Sequence, residues 1–118
     1  MKAYTDLEQS KKLAEILPAE SADMCWGIDD DTLMYNQCPY PLPYIQYTAK
    51  EFYLPCWSLA ALLGVIKPIN ENTYTIIGTL DGGAIISFDE ITNVMFQEEE
   101  IIDAVFEMVI WLKENGKI

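Results

Sequence analysis

The chain contains no arginine and no histidine. Without histidine, Ser-His-Asp and papain-type Cys-His catalysis lack their proton acceptor. The usual zinc ligand sets lose their nitrogen donor for the same reason. Without arginine there is no planar guanidinium fork for gripping phosphate or carboxylate. Positive charge is scarce altogether: seven lysines stand against nineteen acids, a formal net charge of −12 and a pI near 4.1. Nucleic-acid binding needs cations that displace phosphate counterions, so neither DNA nor RNA is an expected partner. Anionic membrane surfaces are disfavoured likewise. Such a field attracts neutral or cationic ligands and basic protein surfaces.

Cysteine is sparse too. Cys25, Cys38 and Cys56 are three widely separated residues with no Cys-x-x-Cys pair. No disulfide framework and no metal site is expected, and a reducing compartment fits. No hydrophobic run is long enough to span a bilayer, and "MKAYTDLEQSKKLAEIL" lacks the apolar core of a signal peptide. The expected location is cytoplasmic. The phosphate-cradling patterns GxGxxG and GxxxxGK are both missing, so Asp81-Gly82-Gly83 reads as a turn. Asp29-Asp30-Asp31 lacks the alternating ligands of a calcium loop and reads as a solvated turn. No cofactor and no catalytic residue is expected, and the chain reads as non-enzymatic.

What is present is core. Of 118 residues, 51% are hydrophobic and 12% aromatic, enough for a single domain without staples. Thr5 and Glu8 form a capping-box pattern ahead of Leu7, Leu13, Ile16 and Leu17, and Pro18 stops that helix. Met24–Ile28 and Thr32–Tyr35 suggest a hairpin with the aspartates at its turn. Pro39, Pro41 and Pro43 forbid a central strand and suggest an extended loop leading to an edge strand near Tyr44–Thr48. Thr48 and Glu51 could cap one helical turn. In "LPCWSLAALLGVI", Pro55 suits a first helical position and Gly64 a stop near Leu63. That helix is apolar all round, which predicts burial on most sides. "TYTIIGTLDGGAIISF" is a hairpin pattern, and "DEITNVMFQ" reads equally as helix or strand. "EEEIIDAVFEMVIWLKENG" is a helix with acids in its first turn, Lys113 in its last and Gly116 as cap. The expected architecture is α+β over residues 1–118: two or three helices packed on one small antiparallel sheet.

Three features are candidates for function. Cys56 would sit at a helix N-terminus, where a thiol pKa can fall, but the missing histidine leaves it a quiet core thiol beside the anchor Trp57. The aromatic-rich segment from Tyr35 to Trp57 offers Tyr40, Tyr44 and Tyr47 as a surface for a neutral ligand or a protein; it could equally cover the sheet edge. The last helix carries an apolar arc of roughly 260°, wider than a one-sided helix needs. Either it is central in the fold, or Phe106, Ile110 and Trp111 meet a second subunit in a homodimer.

The stretches "LEQSKKLAEILPAESADM", "LPCWSLAALLGVI" and "DAVFEMVIWLKENGKI" together resemble a family of small acidic proteins of unassigned function, encoded in gut-bacterial genomes and their prophages or other mobile elements. The segment from Asp29 to Tyr53 departs from it most. The resemblance implies an intracellular bacterial or phage setting and carries no catalytic motif. The expected function is binding to another protein, with a basic surface as the partner. The alternatives are a DNA mimic, which needs a continuous acidic ridge, and a small-ligand domain built on the tyrosines.

Overall fold

A computed structural model describes residues 2–28, 34–35, 39–41, 53–66, 74–77, 83–87 and 93–118. The expected edge strand at Tyr44–Thr48, the Thr48/Glu51 cap, Cys38 and the aspartates 29–31 lie outside these residues.

Helix α1, Leu7–Ile16, is started by Asp6. The Asp6 carboxylate accepts from the Gln9 N–H at 2.8 Å, and Gln9 Oε1 accepts from the Asp6 N–H at 3.0 Å. The box is therefore one residue later than the Thr5/Glu8 pattern. Thr5 is instead fully buried, because its N–H donates to the Trp57 carbonyl at 2.9 Å and its hydroxyl accepts from the Trp57 N–H at 3.1 Å. Leu17 ends the helix in extended backbone, as a residue before proline is pushed to do. A single 3-10 turn, Ala19–Ser21, follows.

The first sheet has the order β2-β1-β3, all antiparallel: β2 is Tyr40–Pro41, β1 is Met24–Gly27 and β3 is Tyr53–Cys56. Among the described strands its two proline-bearing ones lie at the edges, and the central strand carries none, as a missing N–H donor requires. An isolated Ile28–Tyr35 bridge continues the pairing where a hairpin was expected. Pro55 does not open a helix. It pairs with Cys25 inside β3. Helix α2, Leu59–Val65, starts four residues later, with the Ser58 hydroxyl accepting from the Ala61 N–H at 3.2 Å. The signal misread was Pro55, because proline suits an edge strand as well as a first helical turn.

The second sheet is a meander, β4-β5-β6, of Tyr74–Ile77, Gly83–Ser87 and Asn93–Gln97. It confirms the hairpin pairing and makes Asn93–Gln97, the described part of "DEITNVMFQ", a strand: Phe96 packs on the core while Met95 is exposed, the alternation of a sheet covered on one face. Helix α3, Ile101–Glu114, closes the chain, and Gly116 follows it at φ 67°, the left-handed cap that glycine adopts freely.

The α+β class stands as expected, with three α-helices among the described residues. The described strands, however, form two three-stranded sheets rather than one. The core lies where α3 meets its neighbours: α2, strands β5 and β6, and α1. Trp57, Leu13, Leu62, Ile102, Val105, Met108, Val109 and Leu112 are inaccessible or nearly so. This accounts for the wide arc of α3. Phe106 and Ile110 are 7% and 6% exposed within the single chain. Both pack into the core of the single chain, the central position that was one of the two readings of the arc, and Trp111 is half-buried against the same core.

Candidate functional site

Cys56 ends a strand and is fully buried. Its Sγ lies 3.5 Å from Thr5 Oγ1 and can donate to the Thr5 carbonyl at 3.4 Å. Burial pushes its thiol pKa up. Hydrogen bonds from Thr5 and Ser10 oppose that shift, and the Asp23 charge adds to it. A thiol held protonated is a poor nucleophile. Around it, Ser10 Oγ sits 2.8 Å from Thr5 Oγ1 and accepts from Trp26 Nε1 at 3.3 Å. No buried side-chain polar atom among the described residues lacks a partner. This cluster joins α1, β1 and β3 and is structural.

The expected tyrosine surface is only partly in view. Tyr40 stands in β2 opposite Cys25; Tyr44 and Tyr47 lie outside the described residues. Upstream of them, Tyr35 receives the Lys11 ammonium 5.4 Å from its ring centroid, and Tyr4 meets Trp26 edge-on at 5.7 Å.

A concavity lies elsewhere among the described residues. A groove of about 580 Å³ lies between the turn after α1, the outer side of α2 and the end of α3. Its first wall is pinned by short-range chemistry. Ser21 Oγ donates to the Pro18 carbonyl at 2.7 Å and accepts from Trp57 Nε1 at 2.9 Å. Asp23 holds the start of α2, accepting from the Ser58 N–H at 2.9 Å and from the Ser58 hydroxyl. The second wall is α2 itself. Leu59–Val65 contains no charged residue, yet only Leu62 is fully buried, and Ala60, Leu63 and Gly64 are exposed. The expectation that α2 is buried on most sides is therefore corrected: α3 and the 3-10 turn cover one face of it and leave the other open. A Cβ built on Gly64 meets nothing within 4 Å.

Ala22, Ala61 and Val65 make the groove apolar, and Glu20 and Asp23 stand on one side with Lys113 among the lining residues. Glu20 and Lys113 are exposed and have no ion partner among the described residues. The volume is in the range of small-molecule and peptide-anchor sites. Sequence reasoning missed the groove. Gly64 read as a helix stop and Lys113 as a dipole complement, and nothing in their spacing shows that they share a cavity. The one available signal was a helix without a polar face. A depression along α1 is lined by Glu8, Lys11, Lys12 and Glu15, where both signs mix and Lys11 lies 3.9 Å from Glu8.

Among the described residues no helix is long and apolar enough to cross a membrane. A scan against protein-family models finds no match, and searches of curated proteins and of solved structures find none either.

Proposed function

We propose that this chain is a non-enzymatic binding protein whose partner presents a basic surface, acting inside a bacterial or phage-infected cell. One observation carries the reading: nineteen acids face seven lysines, and most acids among the described residues are exposed. Glu15, Glu20, Glu98, Glu99, Glu107 and Glu114 are all exposed, and three ion pairs occur among the described residues. A surface of one sign steers oppositely charged partners and repels polyanions.

The test uses the tagged full chain as bait in bacterial lysate, followed by titration of each purified direct partner at increasing salt. Basic partners are expected, with affinity falling as the Debye length shrinks. A direct partner that is acidic, or one bound equally well at high salt, overturns the reading. A partner displaced by duplex DNA would identify the chain as a DNA mimic instead.

A further inference from the structure

We infer that the groove beside α2 is the docking site for a basic peptide segment, which inserts an apolar side chain between the 3-10 turn and α2 and sets an adjacent lysine or arginine against Glu20 and Asp23. This rests on the reading that the partner is basic and names where that partner is held.

Three features of the molecule meet at this place. First, α2 leaves uncharged surface open on a strongly acidic protein. Apolar surface rimmed by polar residues is the usual mark of a docking site. Second, the groove is concave and its walls are fixed before anything binds. The Ser21–Trp57 and Asp23–Ser58 hydrogen bonds tie the turn to the start of α2, so little ordering cost falls on association. Third, its charges are arranged with a polarity. Glu20 lies in the 3-10 turn and Asp23 two residues after its end, while Lys113 lies at the end of α3. A cation is favoured beside the turn and repelled beside Lys113. The Lys113 ammonium is suited to a backbone carbonyl of the same peptide. Complementary charge with one opposed charge fixes direction and register as well as attraction.

Gly64 provides the test. Its Cβ position is open, so Gly64→Phe should fill the groove without disturbing the core. The probe is a fluorescein-labelled ten-residue lysine peptide with one central leucine, compared with the same peptide carrying alanine there. Fluorescence anisotropy reads binding to the full chain. Gly64→Phe and the leucine-to-alanine change should each weaken binding by about tenfold or more, as expected for losing one buried anchor. Glu20→Lys should weaken it, and Lys113→Glu should strengthen it. Glu8→Lys, which makes the same change in net charge outside the groove, should weaken it much less than Glu20→Lys. Circular dichroism checks that every variant is folded, and a smaller Gly64→Leu replaces any that is not. Equal loss from Glu8→Lys and Glu20→Lys, with no effect of Gly64→Phe, overturns the groove but leaves a basic partner in place. Failure of both lysine peptides to bind wild type overturns the groove and the basic-partner reading together.

Discussion

Cys56 and Gly64 show how much a side chain's role depends on what surrounds it. Cys56 has a sulfur at full burial beside two hydroxyl residues, so its thiol is neutral at physiological pH and shielded from reagents. Cys56→Ser should lower stability by about 1 kcal/mol, since a hydroxyl is costlier to bury than a thiol even with Thr5 in reach. Alkylation of Cys56 in the native protein should be slow and should accelerate on unfolding. Rapid native alkylation at neutral pH would contradict this. Gly64 presents the reverse case. It lies in the last turn of α2 with open space at its Cβ. Gly64→Ala should raise stability by about 0.5–1 kcal/mol, the cost of glycine in a helix. A fall in the denaturant midpoint would mean that α2 is not helical there.

Helices α1 and α3 are joined at one end by charge. Lys2 Nζ lies 3.0 Å from Asp6 and 2.6 Å from Asp103, and Gln9 Nε2 donates to Asp103 at 2.8 Å. Partial burial disfavours the Lys2 ammonium, but hydrogen bonds and charge from Asp103 and Asp6 outweigh it and raise its pKa above 10.5. Burial likewise acts against the Asp6 carboxylate, while the Gln9 hydrogen bond and Lys2 outweigh it and lower its pKa below 3.8. Stability from Lys2 is therefore full below 10.5 and lost as pH rises through its folded value. Stability from Asp6 is full above 3.8 and lost as pH falls through its folded value. Asp6 is half exposed, so solvent screens the pair, and Lys2→Met should cost only about 1 kcal/mol at neutral pH. That difference should shrink at both pH extremes; a pH-independent difference would remove the ion pairs from the account. In the body of α3 the stakes are larger. Ile110→Lys places an unpaired ammonium in a core of apolar residues and should cost about 3–5 kcal/mol or unfold the chain. A folded variant that sediments at lower mass than wild type would restore Ile110 to a subunit contact.

For the whole molecule, self-repulsion is the dominant electrostatic fact. With a net charge of −12 and three ion pairs among the described residues, repulsion between acids should exceed what pairing returns. Raising sodium chloride from about 0.05 to about 0.5 M shortens the Debye length severalfold. The midpoint of thermal unfolding at neutral pH should then rise. A fall would show that the Lys2 cluster outweighs the summed repulsion.

The sequence by itself determined what depends on composition and on local periodicity. The missing histidine excluded Ser-His-Asp and Cys-His catalysis, and the missing arginine excluded a guanidinium fork. α3 was legible because fourteen helical residues sample the period several times, and the β4–β5 hairpin because branched residues flank Asp81-Gly82. The exclusion of Pro41 from a central strand followed from a missing donor, but Tyr40–Pro41 read as loop and instead pairs with β1 as a short strand. Tertiary structure decided what local pattern leaves degenerate. Proline at position 55 fits a strand edge and a helix start equally, and pairing of β3 with β1 chose between them. The capping box fell to Asp6 rather than Thr5 because Thr5 was drawn into a pairing with Trp57, more than fifty residues away. A wide apolar arc on α3 is the same string of letters at a subunit contact and in a core; within the single chain α2, β5 and β6 pack against it. The groove is the extreme case. Glu20, Asp23, Gly64 and Lys113 come from three separate elements, and only the packing of those elements brings them to one cavity.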